Sequence, residues 1–189
     1  MIRNSNFAGA FLACSMLFVA NAAYSQQTET RPTTAPTPTV ANLPTTDKQE
    51  LRAKACGTQK VNYSAKTDKK NHPTPDAPAG KAMIYVLRPT IIGYKINSKL
   101  AVDGKWTGVN RGRTYFFFEV EPGERFFCSK AENQDYLALT VEAGKTYFLQ
   151  QKVEAGMWKA RTNLVVMDEA EGRKKLADVN FSVFELKAK

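Results

Sequence analysis

The sequence predicts an all-β protein: a single antiparallel β-sandwich domain with one short C-terminal helix and a candidate for a short N-terminal one. Three observations carry that expectation. From Lys81 onward, short apolar segments alternate with turn signals every 8–12 residues or so, the rhythm of a sandwich or barrel. Those segments are rich in Phe, Tyr, Val and Ile, which suit a pleated, half-buried surface. The breaks between them are turn dipeptides, Asp103-Gly104, Pro122-Gly123 and Ala143-Gly144.

The 189 residues suffice for one domain with appendages. Charged residues make up 24% and apolar ones 43%, ordinary values for a soluble globular chain. The formal charge is +9, from 27 Lys and Arg against 18 Asp and Glu. Such an excess attracts anionic polymers or surfaces. Because the cations are spread along the chain, they read first as solvated charge, with an anionic partner as the alternative.

Residues 1–25 have the parts of a secretory signal: Arg3 at the start, an apolar run from Phe7 to Ala20, then small residues around Ala22 and Ser25. Cleavage is expected after Ser25 or after Ala22. Cys14 lies inside the apolar run, which continues through Val19, so it reads as part of the signal and not as a lipid attachment site. Loss of Arg3 with the signal lowers the formal charge from +9 to +8. No later run is long and apolar enough for a membrane helix. Two cysteines then remain, Cys56 and Cys128. An even pair in an exported chain reads as one disulfide, the alternative being two separate buried thiols.

Residues 26–46 form a Thr/Pro-rich tether. Pro32, Pro36, Pro38 and Pro44 favour extended backbone, and no apolar periodicity offsets the entropy of ordering it. Residues 47–80 form a lead-in. Asp47 to Ala55 is a helix candidate with Thr46 as its cap and Gly57 just past its end. A polar, Pro-interrupted crossing follows, with one short strand at Lys60 to Tyr63, and it carries the sole histidine, His72, read as an exposed loop residue.

The sandwich is expected over residues 81–189. Ala82 to Arg88 is apolar on both faces and reads as a central strand ended by Pro89. Leu100 to Val102 and Trp106 to Val109 flank Asp103-Gly104 as a hairpin. Thr114 to Val120 and Arg125 to Lys130 flank Pro122-Gly123. A three-residue loop there would set Phe118 opposite Cys128, Val120 opposite Phe126 and Glu121 opposite Arg125, matching apolar with apolar and acid with base. That register places Phe116, Phe118, Val120, Phe126 and Cys128 on one dry wall. Tyr136 to Glu142 and Thr146 to Val153 flank Ala143-Gly144, and Trp158 to Met167 is the last long strand. Asp168 to Ala177 has acids first and bases last, as the helix dipole favours, and Asn180 to Leu186 closes an edge.

Taken in order, AGKAMIYVLRP, VDGKWTGVNRG, TYFFFEVEPGERFFC, VEAGKTYF and MDEAEGRKKL resemble the uncharacterised bacterial family of domain of unknown function 2846, over roughly Cys56 to Leu176. The resemblance implies an exported, envelope-associated β domain. It suggests that Cys56 and Cys128 belong to the family pattern, and it transfers no catalytic residue. Where family members often carry a His-rich PGEHHLC, this chain has Arg125, Phe126 and Phe127, so no metal or proton role carries over. The strand rhythm is more weakly similar to PEGA-like sandwich modules.

Few chemistries fit these residues. Nucleophilic catalysis by Ser or Cys wants a histidine base, and His72 lies on a crossing. A zinc site wants three or four clustered Cys and His ligands. Gly144-Lys145-Thr146 imitates the end of a phosphate loop without its upstream glycine. Glu119 and Glu121 share a strand face and are the option for a carboxylate hydrolase, or else a solvated face. The candidate binding surface is Trp106, Arg111, Arg113 and Tyr115, aromatics interleaved with arginine, with Tyr94 and Lys95 on the same rim.

The expectation is therefore an exported, periplasmic or envelope-associated, non-catalytic module without metal or cofactor. Its partner would be an envelope protein or polysaccharide and not a nucleic acid. The alternatives are a carboxylate hydrolase of envelope polymers and a binder of anionic polymers.

Overall fold

The computed structural model of the chain describes residues 45–57, 60–155 and 160–188. The expected signal with Cys14, nearly all of the Thr/Pro tether, and Trp158 lie outside the described residues. Helix α1 (Thr45–Ala55) precedes strands β1 (Val61–Asp68), β2 (Ala82–Arg88), β3 (Ser98–Val102), β4 (Lys105–Asn110), β5 (Thr114–Val120), β6 (Gly123–Lys130), β7 (Gln134–Val141), β8 (Thr146–Ala155) and β9 (Ala160–Met167). Helix α2 (Glu169–Ala177) and strand β10 (Asn180–Ala188) follow.

The strands form two sheets, β1-β10-β5-β2-β8-β9 and β4-β3-β6-β7. The all-β sandwich is as expected, with one correction. The six-stranded sheet is not wholly antiparallel: β2 pairs parallel with β8, and β10 parallel with β5. Parallel neighbours need a long crossover. Between β2 and β8 the chain builds the other sheet, and before β10 it builds α2.

Alternation along the strands fills two faces at once. Ile84, Val86, Phe116, Leu149 and Leu164 of the larger sheet meet Leu100, Phe127, Leu137, Leu139 and Val141 of the smaller one in the central core. On the larger sheet's other face, Met83, Tyr85, Leu87, Tyr115, Phe148 and Met167 pack with Leu176 of α2 and Val179. On the smaller sheet's other face, Ala101, Trp106 and Cys128 pack with Ala55 and Cys56 at the end of α1. Burial on both faces explains why Ala82 to Arg88 reads as an unbroken apolar run.

Asp103-Gly104 closes the β3–β4 hairpin, as expected. Both residues have positive φ, 48° and 78°, as a type I′ turn requires. Asp103 then does more than turn: its carboxylate accepts from the Phe126 N–H at 2.9 Å and pairs with Arg125 at 3.0 Å.

Pro122-Gly123 is not a hairpin turn, contrary to expectation. β5 pairs with β2, with Phe118 opposite Ile84 and Val120 opposite Ala82, while β6 lies in the other sheet beside β3 and β7. The turn carries the chain from one sheet to the other, and so does Ala143-Gly144. Phe116, Phe118 and Val120 do face the central core, but from β6 it is Phe127 that joins them. Phe126 and Cys128 face the cluster under α1. Arg125 donates to the backbone oxygens of Glu121 and Pro122 rather than pairing with the Glu121 carboxylate. The physical reason is that Phe126, Phe127 and Cys128 are consecutive and apolar, so alternation could not say which face is inner.

The lead-in is also part of the sheet. β1 pairs with β10 along its whole length, from Val61 opposite Ala188 to Asp68 opposite Phe181. The short strand expected at Lys60 to Tyr63 is thus eight residues long. Cys56 and Cys128 form a disulfide with Cα atoms 5.1 Å apart, fastening the end of α1 to β6. α2 is capped by Asp168, whose carboxylate accepts from the Glu171 N–H at 2.8 Å.

Candidate functional site

The most constructed surface feature is the loop of residues 89–97 between β2 and β3. Pro89 has no N–H to offer the ladder, so β2 stops at Arg88. Arg88 is completely buried, and the loop is wrapped round its guanidinium. It donates to the backbone oxygens of Ile92 at 3.0 Å, of Gly93 at 2.7 Å, and of Ile96. No carboxylate within ion-pair distance neutralises it among the described residues. Burial pulls its pKa down to about 10, which leaves it charged at neutral pH.

The turn between β4 and β5 braces the loop from outside. The Gly112 N–H donates to Tyr94 O at 3.2 Å and the Arg113 N–H to Thr90 O at 3.3 Å. A Cβ at Gly112 would stand 2.8 Å from the Tyr94 Cα, so only glycine permits this approach. The Ile92 N–H donates to the Thr90 hydroxyl at 3.1 Å, and the Ile96 N–H to Gly93 O at 2.8 Å. What this scaffold presents is apolar: Ile91 is 65% exposed, Ile92 54% and Tyr94 43%. The Arg111 guanidinium lies 5.8 Å from the centre of the Tyr94 ring.

The four residues expected to form one binding surface do not come together. Arg111 and Arg113 adjoin the loop that carries Tyr94 and Lys95, Arg111 through the Tyr94 ring and Arg113 through its N–H to Thr90 O. Trp106 is buried in the cluster beneath α1, where the Lys99 ammonium stands 5.1 Å from its ring and 4.8 Å from that of Tyr63. Burial, with Lys130 nearby, holds the Lys99 pKa below the usual lysine value. Tyr115 is buried on the opposite side of the molecule, its hydroxyl donating to Pro73 O at 2.8 Å. The sequence missed both outer faces being covered, which turns these aromatics into core. It also missed Arg88, Ile91 and Ile92, although two adjacent isoleucines between Pro-Thr and Gly were a visible signal.

A cleft of about 440 Å³ lies beside the disulfide, lined by Gln49, Arg52, Ala53, Cys56, Gly57, Lys130 and Gln134. Its charged lining is cationic. Glu119 and Glu121 both lie near the Lys81 ammonium, at 3.5 and 3.8 Å, with all three side chains substantially exposed. His72 is exposed but engaged: its Nε2 lies 3.0 Å from both Leu176 O and Val179 O, tying the crossing to the end of α2. Among the described residues, no group of three or more His, Cys, Asp and Glu side chains is placed to hold a metal ion.

This architecture can be set beside known proteins. Residues 78–163 match the family described as "Protein of unknown function (DUF2846)". The DUF2846 span runs from just before β2 into β9, so it holds the whole smaller sheet, Arg88 with its loop, and Cys128. It stops short of Cys56, so the cysteine pair suggested by the resemblance falls only half within it. An "Uncharacterized protein" of Haemophilus influenzae is 29% identical over 106 residues, covering 55% of this chain and 62% of that relative. The chain thus matches less than two thirds of that relative's length. No solved structure matches it at a significant level. Among the described residues, no helix is long and apolar enough to cross a membrane.

Proposed function

We propose that this protein is an exported, non-catalytic binding module of the bacterial envelope. The observation that carries the reading is the loop of residues 89–97. Burying a charged arginine without a carboxylate is costly. Here that cost is met in order to hold two isoleucines and a tyrosine in solvent, where folding alone gains nothing from them. A stiff apolar tip with cations beside it suits recognition, because little ordering entropy remains to be lost on binding. Export is supported by the signal-like first 25 residues and by a disulfide, a bond that persists in oxidising compartments.

The cationic cleft beside the disulfide favours a second reading, a binder of anionic polymers, through Arg52 and Lys130. The hydrolase alternative draws less support, since Lys81 lies close to both of its carboxylates.

The test combines location with capture. Cells are fractionated and thiols labelled before and after reduction. In the same cells Ile92 is replaced by benzoylphenylalanine and irradiated. The reading expects the protein outside the cytoplasm, Cys56 and Cys128 labelled only after reduction, and a crosslinked adduct from position 92. Cytoplasmic protein with free thiols, or no adduct of any kind, would overturn it.

A further inference from the structure

We infer that the tip formed by Ile91, Ile92 and Tyr94 docks on an anionic lipid surface; this rests on the binding-module reading and names its partner. Four features point to a bilayer.

The first is the state of the backbone. A loop that enters the apolar boundary of a bilayer must satisfy its own polar groups, because no water is there to do it. Here five of the loop's carbonyls are already engaged. Those of Ile92, Gly93 and Ile96 accept from Arg88, that of Thr90 from the Arg113 N–H, and that of Tyr94 from the Gly112 N–H. The Ile92 N–H is taken by the Thr90 hydroxyl. In water such internal pairing brings little at an exposed tip, since solvent would serve the same groups. In lipid it is a requirement, and it gives the buried arginine a purpose.

The second is chemistry at the tip. The isoleucines are the most exposed large apolar side chains among the described residues, and Tyr94, on the same loop, adds an exposed amphipathic ring. Tyrosine favours the headgroup level of a membrane, while long cationic side chains reach the phosphates from behind. The third is charge. Lys95 is exposed on the tip's own loop. Arg111 and Arg113 adjoin it, their guanidiniums donating to Ala65 O at 3.4 Å and Asp178 O at 3.3 Å. Among the described residues no carboxylate forms an ion pair with any of the three. Each basic residue near an anionic leaflet adds to the attraction, which salt then screens.

The fourth is size. A stable protein interface takes some 20–30 residues a side, with an apolar centre. The apolar part here is three side chains on a loop, and the remaining exposed large apolar residue, Val183, sits on β10. A bilayer demands no such area and no matching shape.

The experiment is co-sedimentation of protein purified from the envelope fraction of its own cells. One set of vesicles is phosphatidylcholine and the other equal parts phosphatidylcholine and phosphatidylglycerol. We expect at least about tenfold tighter binding to the anionic vesicles, weakening as salt rises. The double variant Ile91→Ser/Ile92→Ser is expected to lose about tenfold or more while melting as the parent does, because both side chains are exposed. Binding unchanged in that variant, or no binding to anionic vesicles at low salt, would overturn the proposal. A protein adduct at position 92 without vesicle binding would overturn the lipid assignment and leave the binding-module reading standing. A dimer that dissociates in the double variant would likewise assign the tip to a second copy and overturn it.

Discussion

Arg88 shows how one residue can govern a surface it never reaches. Its planar fork spans three carbonyls that diverge around it, a geometry a single ammonium cannot reproduce. Arg88→Lys is therefore expected to behave as a disruptive change despite keeping the charge. It should cost on the order of 2 kcal/mol in urea denaturation, since hydrogen bonds to charged groups are lost. Amide exchange should quicken at Ile96, Gly112 and Arg113, whose N–H groups lean on the same loop, and stay slow in β2. Uniform acceleration along the chain, or none, would count against the bracing role. In the sequence this arginine was simply the charged end of an apolar strand. Its burial depends on a loop returning over it, which no local pattern encodes.

At the scale of elements, α1 is a short helix fastened late to a sheet formed far along the chain. Leu51 and Ala55 are buried, and the disulfide spans a sequence separation of 72. In the chain-entropy account a closure of that length contributes about 4 kcal/mol. The pair Cys56→Ser/Cys128→Ser is expected to lower unfolding free energy by roughly that amount. Residues 45–57 should then become the most protease-sensitive part of the fold. A variant with unchanged stability would mean that packing against Trp106 and Phe126 holds α1 without the bond. Which elements could be read in advance follows from their physics. The β3–β4 hairpin was legible because Asp103-Gly104 satisfies a demand for positive φ at two successive positions. α2 was legible from Asp168 and its charge order. The partner of β5 was not, since Pro122-Gly123 serves a hairpin and a passage between sheets equally well. Strands apolar on both faces leave the register open.

For the whole molecule, the layered packing has a signature at alkaline pH. Burial, with Asp76 adding and Arg173 opposing, pushes the Tyr85 phenol up to about 12. Burial pushes Tyr115 up as well, aided by Tyr85 and Asp68. A group whose pKa is raised by folding favours the native state below its unfolded value, near 10 for tyrosine, and loses that advantage as pH climbs through the folded value. Arg88 works in the opposite sense, because its folded pKa is lowered. Two phenols against one guanidinium leave a net loss. Stability should thus fall between about pH 10 and 12, with the phenolate absorbance of these two tyrosines appearing only as the protein unfolds. Tyr85→Phe/Tyr115→Phe should flatten that fall. A full tyrosine titration near pH 10 in folded protein would contradict the burial. The two-sheet class was visible in the strand rhythm, and the covered outer faces were not. The covers are α1, α2 and the Pro-rich crossing, which look like appendages when read singly.

The pairing of β10 with both β1 and β5 has a consequence for how the molecule comes into being. Every other strand lies between β1 and β10 in the chain. A polypeptide emerging N-terminus first, from a ribosome or through a narrow pore, presents β1 long before its neighbour exists. The strands β5, β2, β8 and β9 can pair among themselves, but β1 must wait until residues 180–188 arrive. A chain stopped short of Asn180 would leave β1 stranded, without the neighbour that fastens it to the rest of the sheet.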